Sequence, residues 1–270
     1  MVSITQFAPY SLIEKKDYLA HLVRGHGFNF EFKEESSKGS SSLIDDINLH
    51  KLQTLTSEQL VGLQWNEGLI EAVTQNVMSL VSKYIYVENL EITVVPALAK
   101  PHHIPQSLCI FAYINHHGNI LIFVPPNPDL DYLKYVLAHQ AFYSSPQSPV
   151  NQLNGIFTLA DWFKLEGAAQ YFSLSFFEDK RWWADYTIDE GRYWASVKGM
   201  LQSTNVQLNR KFYFGYYDDD IPTYTGQAFA YNTVMSYVKR FPINSFTELF
   251  NIDVQHLFEN CEDHLSPCNV

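Results

Sequence analysis

Two stretches decide how this chain is read: YLKYVLAHQAFYSS, from Tyr132 to Ser145, and TLADWFKLEGAAQYFS, from Thr158 to Ser173. In the first, Leu130, Leu133, Val136, Leu137 and Ala141 recur at helical spacing, with Asn127, Pro128 and Asp129 as a start signal and Pro146 and Pro149 as stops. His139 lies on that helix. The second stretch is also apolar and helical, and it carries Glu166 followed by Gly167. A carboxylate on an apolar helix needs a partner, because burying an unpaired charge is costly.

Working upstream, the period changes. LEITVVP (Leu90 to Pro96), SLCIFAYI (Ser107 to Ile114) and NILIFVP (Asn119 to Pro125) are short, β-branched and bounded by turns, so they read as strands. Gly118 between the last two can supply the positive φ of a tight connection, which makes them a hairpin. Before them, Thr56 and Gln59 form a capping-box pattern, and Leu60, Leu63, Ile70, Val73, Val77, Leu80 and Val81 predict a long helix running to about Tyr84. Residues 1–50 form an N-terminal segment to which no fold is assigned, with a surface loop at Glu34–Ser42. Residues 51–270 are expected to form one domain. Downstream of His139, helices are expected near Thr158–Phe177, Asp189–Leu201, Thr225–Arg240 and Ser245–Asn260. Strands first and helices after them predict an α+β fold, a small sheet leading into a mainly helical half.

Composition narrows the class. The chain has 270 residues, 18 basic and 29 acidic, for a net charge of -11, and 15% are aromatic. Such a field repels phosphate backbones, so nucleic acid is not an expected partner. No stretch reaches the roughly 20 apolar residues needed to cross a bilayer, and Met1–Tyr10 lacks a signal-peptide pattern; the expectation is a cytoplasmic protein without membrane insertion. Three cysteines, Cys109, Cys261 and Cys268, are odd in number and argue against a disulfide framework.

A zinc-peptidase helix places two His at i and i+4 to bind one metal, with a Glu beside the first His to take a proton from the metal-bound water. Here the pentapeptide is His139-Gln140-Ala141-Phe142-Tyr143, and only the first functional position keeps its type. With the downstream segment, the pattern resembles the predicted zinc-dependent proteases of the YjaZ type, which are gluzincin-like and read HEYHH and then EGxAxxF. Glu166, Gly167, Ala169 and Phe172 match. So do the Gly turn and Asn-Pro exit between Phe111 and Pro128, and Gly226, Tyr231, Val234 and Tyr237 in TGQAFAYNTVMSYVKRFPINSFTELF. The resemblance covers roughly residues 90–260 and implies a thermolysin-like architecture, with His139 and Glu166 as first and third metal ligands and Tyr143 in place of the second. Gln140 replaces the general base.

These departures imply an inactive or weakly active homologue holding no zinc or binding it weakly, with a cleft that retains a peptide or protein ligand. The alternative is an active hydrolase using a non-standard ligand set, or a base such as Asp161, whose bland reading is a solvent-facing polar position. Tyr224 is a candidate oxyanion donor, weighed against ordinary core packing. His102-His103 and His116-His117 read as turn histidines. His256, Cys261, His264 and Cys268 match no compact zinc finger, and Asp218-Asp219-Asp220 lacks the Gly and Glu of a calcium loop.

Overall fold

The computed structural model describes residues 2–7, 55–61, 63, 66–87, 89–97, 104–115, 117–149, 157–181, 183–184, 188–215, 221–222 and 224–265. Side chains are described through 260 except at 206, 210 and 214. The loop expected at Glu34–Ser42, His102, His103, His116, Asp218–Asp220 and Cys268 lie outside these residues, as do the side chains of Cys261 and His264. The fold is α+β, a four-stranded sheet and a larger complement of helices. Two compact units result: Met1–Pro146 with Phe177–Trp182, and Gln147–Phe176 with Trp183–Val270.

The first unit holds the sheet. Its strands are β1 (Val2–Gln6), β2 (Leu90–Pro96), β3 (Phe111–Ile114) and β4 (Ile120–Val124), in the order β1-β2-β4-β3. β1, β2 and β4 are parallel, and β3 is antiparallel to β4. All five β4 residues are buried, which is why the sequence reads as a continuous β-branched run rather than an alternation. The β3–β4 hairpin turns as expected: Gly118 has φ 80°, and Asn115 Oδ1 accepts from the amides of His117 and Asn119 at 2.9 Å each. β1 falls in the segment to which the sequence assigns no fold. The expected strand Ser107–Ile114 is shorter than predicted, because Gln106–Leu108 winds into a 3-10 turn.

The long helix expected from Thr56 to Tyr84 is two helices, α1 (Ser57–Val61) and α2 (Glu67–Val81). The Thr56/Gln59 capping box is present, with Thr56 N donating to Gln59 Oε1 at 2.8 Å and Gln59 N to Thr56 Oγ1 at 3.2 Å. A second cap, Asn66, restarts the helix by accepting from Leu69 N at 3.0 Å, so one apolar periodicity spans two elements. α3 (Leu130–Ser144) is capped by Asp129 and ends before Pro146, as predicted. Alternation and register place Thr93 on the same sheet face as Val95, Leu121 and Phe123, where Phe7, Leu60 and Ala97 complete an apolar cluster. The Thr93 hydroxyl is buried there without a hydrogen-bond partner.

The segment that returns to this unit carries an ion pair. Arg181 is buried and grips Asp179 with two bonds, Nε to Oδ1 at 2.8 Å and Nη2 to Oδ2 at 2.6 Å. Burial raises the Asp179 carboxyl, but the hydrogen bonds and charge of Arg181 together outweigh it and hold the group below its ordinary value.

The second unit is helical: α4 (Leu159–Leu174), α5 (Glu190–Val197), α6 (Val206–Phe214), α7 (Thr225–Arg240) and α8 (Val254–Leu265). α7 matches its predicted range. α6 was not anticipated, and the expected helix Ser245–Asn260 divides into a 3-10 turn, Phe246–Asn251, and α8. The core is aromatic. Phe163, Tyr193 and Trp194 surround Phe229 with ring centroids 5.5, 5.1 and 6.0 Å away, and Trp194 lies parallel to Phe258 at 5.8 Å. Tyr193 is fixed by donating its hydroxyl to the Phe212 carbonyl at 2.6 Å, and burial pushes its pKa up.

Two outcomes follow for stability. Thr93→Val removes an orphaned hydroxyl and is expected to raise unfolding free energy by about 1 kcal/mol in urea titrations; a loss would show the hydroxyl to be satisfied. Asp179, with its folded pKa lowered, contributes fully above its unfolded value and loses that contribution as pH falls through the lower folded value. Asp179→Asn should therefore flatten the acid limb of stability against pH below about 4, and an unchanged limb would contradict the assignment.

Candidate metal centre

His139, Gln140 and Tyr143 all lie on α3. That helix is buried on most of its circumference, and along it runs a ladder of rings: Tyr132, Tyr135, His139 and Tyr143. Successive centroids are 5.8, 5.9 and 5.2 Å apart, which is the consequence of i, i+3 and i, i+4 spacing on one helix face. The structure therefore brings His139 and Tyr143 together as a helical HxxxY pair. The sequence pattern of Leu and Val residues had concealed the tyrosines at 132 and 135, which belong to the same stripe as His139. Gln140 is half-buried, with Nε2 3.4 Å from His139 Nδ1, a long contact whose donor depends on the imidazole tautomer.

Glu166 lies on α4 in the second unit, with only 4% of its surface exposed. Its Oε1 accepts from Gln170 Nε2 at 2.8 Å. Gln170, one turn on, is a site residue that motif reasoning missed; its i, i+4 spacing from Glu166 was the available signal. Gly167 explains the Glu-Gly pair. A Cβ there would lie 2.7 Å from both the Ala230 carbonyl carbon and Val234 Cγ2 of α7, so α4 and α7 cross at a separation that only glycine permits.

Asp161 is half-buried at the start of α4. It closes the α4 capping box, accepting from Thr158 N at 3.0 Å while Thr158 Oγ1 accepts from Asp161 N at 3.1 Å. Its carboxylate is thereby spent on the helix start. Lys164, two residues before Glu166, is buried and donates to the Phe250 and Ile252 carbonyls at 3.3 and 3.1 Å. Desolvation lowers its pKa, against a smaller opposing pull from Asp161 and Asp253. Tyr224 stands at the N-cap of α7 with φ 66°, a left-handed conformation that costs a residue with a Cβ about 1 kcal/mol or more. Its ring lies parallel to Trp183 at 5.9 Å.

The donors that the resemblance assigns depart from what a catalytic zinc requires: His139 and Tyr143 of the first unit are an imidazole and a phenol, Glu166 of the second is a carboxylate, and a phenol with a reference pKa of about 10 must lose its proton before it ligates well. At the position that the resemblance gives to the general base, Gln140 is an amide. Among the described residues no three His, Cys, Asp or Glu side chains gather to share a metal ion. No helix among them is long and apolar enough to cross a membrane.

A helix bearing His139 packs on the sheet, and a later helix bears Glu166-Gly167, in the chain order that the resemblance implies. Residues 70–259 match the family described as Predicted Zn-dependent protease (DUF2268), and the chain belongs to that family. No curated protein and no solved structure matches it.

The close crossing at residue 167 gives a sharp expectation. Gly167→Ala should lower unfolding free energy by about 2 to 3 kcal/mol, the cost of overpacking. Gly68→Ala is the control, since a Cβ there meets only Asn66 Oδ1 at 3.9 Å and should stabilise α2 by roughly 0.5 to 1 kcal/mol. Equal behaviour of the two variants in thermal melts would refute the packing argument.

Proposed function

We propose that this chain is a degenerate zinc-protease homologue, inactive or weakly active as a peptidase, whose peptide-binding cleft outlasts its chemistry. The observation that carries the reading is the His139/Tyr143 pair: the rings are neighbours on one helix face at 5.2 Å, the spacing that a pair of helical metal ligands would need. Zinc is accordingly absent or weakly bound. Loss of a positioned general base at position 140 forfeits about 10² to 10⁴ in rate on its own. Weak metal binding lowers activity further.

The edge of the sheet supports the binding half of the proposal. Asn115 N donates to Asn119 O at 3.0 Å, so the antiparallel pattern makes Tyr113 and Phe111 the residues bonded to β4. Ala112 and Ile114 then direct their N–H and C=O groups away from β4, the arrangement by which an extended peptide adds as a further strand. The ligand is a peptide or a protein segment. Tyr224 is the candidate oxyanion donor of the ancestral site, and the proposed setting is cytoplasmic.

A gain-of-function experiment tests this directly. Gln140→Glu combined with Tyr143→His should bind about one zinc per chain and cleave an unstructured peptide roughly 10²-fold or more faster than the unaltered protein. Stoichiometric metal in the unaltered protein, with chelator-sensitive cleavage, would instead establish an active hydrolase with a non-standard ligand set.

A further inference from the structure

The Glu166 carboxylate is nearly withdrawn from solvent, and a residue that the EGxAxxF pattern leaves unspecified bonds one of its oxygens. Gln170 is fully buried and places Nε2 2.8 Å from Glu166 Oε1 and 3.1 Å from the Gln227 carbonyl oxygen on α7. Both of these neighbours are acceptors. An amide oxygen in the same place would face two oxygens and repel both, so the chemistry of the contacts fixes the NH2 end of the amide here. Its two hydrogens are divided, one to the carboxylate and one to the α7 backbone.

That backbone is itself immobilised against α4, because the Gly167 crossing leaves no space between Ala230 and the helix. A rigid path therefore runs from the α7 main chain through the Gln170 amide to the Glu166 carboxylate. We infer that Gln170 is a positioning residue that locks the Glu166 carboxylate to the backbone of α7. This rests on reading Glu166 as the inherited carboxylate ligand of the proposed site. Any cationic group reaching Glu166 then meets a carboxylate whose rotamer is already set, and the cost of ordering it has been met by folding.

The bland alternative is that Gln170 only fills space between α4 and α7. Gln170→Met separates the two, since methionine has similar length and volume but no donor. In 1H–15N spectra of the full chain, the side-chain amide signals lost in Gln170→Met identify the group. Both protons should exchange at least roughly tenfold more slowly than those of exposed glutamines. In Glu166→Ala the proton facing residue 166 should lose that protection and shift. Exchange as fast as in exposed glutamines, or resonances unmoved in Glu166→Ala, would overturn the inference.

A second readout uses the Gln140→Glu/Tyr143→His protein. Adding Gln170→Met should weaken its zinc affinity about 10- to 100-fold, the usual consequence of removing a hydrogen bond to a ligand. Unchanged affinity would count against positioning. If the double variant itself bound no zinc, the inherited-site reading would fail alone, and the exchange experiment would still decide the role of Gln170.

Discussion

The helical unit depends on one steric condition: residue 167 has no Cβ. Glycine there lets α4 lie against the main chain of α7, and that contact buries α4 on nearly every side. A helix so enclosed cannot leave polar groups unpaired, and each one found on it has a specific answer. Lys164 donates to two carbonyls at the end of a 3-10 turn, Glu166 takes a hydrogen from Gln170, and Ser173 returns its hydroxyl to the Ala169 carbonyl at 2.8 Å. The Glu-Gly pair is thus one device. The glycine brings the helices together, and the closeness holds the glutamate.

Local signals in the sequence were legible, and non-local ones were not. The β3–β4 hairpin was readable because its turn chemistry is contained in Asn115 to Asn119, and the bounds of α7 were readable from its apolar period. The capping box at Thr56 has the usual Thr-x-x-Gln pattern, whereas Thr158 and Asp161 close one at the same spacing with the shorter aspartate, a weaker signal. β1 was invisible for a different reason. Its five residues gain their meaning only by parallel pairing with β2, more than eighty residues away.

At the candidate site the pentapeptide was readable but its surroundings were not. Helical spacing puts His139 and Tyr143 on one face and carries the same stripe on to Tyr135 and Tyr132, which the Leu and Val pattern of that helix obscures. Gln170 stands one turn from Glu166 in the sequence, but its second contact, the Gln227 carbonyl on a helix far along the chain, leaves no local pattern.

Family membership and site chemistry point in different directions here. The chain belongs to a family of predicted zinc-dependent proteases, while on the proposed reading of the motif two of its three positions hold side chains that oppose the reaction. The account holds that the scaffold has been kept and the chemistry lost. Anomalous diffraction at the zinc edge, from crystals of the unaltered protein equilibrated with zinc, tests that claim most directly. The account predicts no ordered peak at full occupancy bonded to His139 Nε2; a peak ligated by His139, Tyr143 and Glu166 would contradict it.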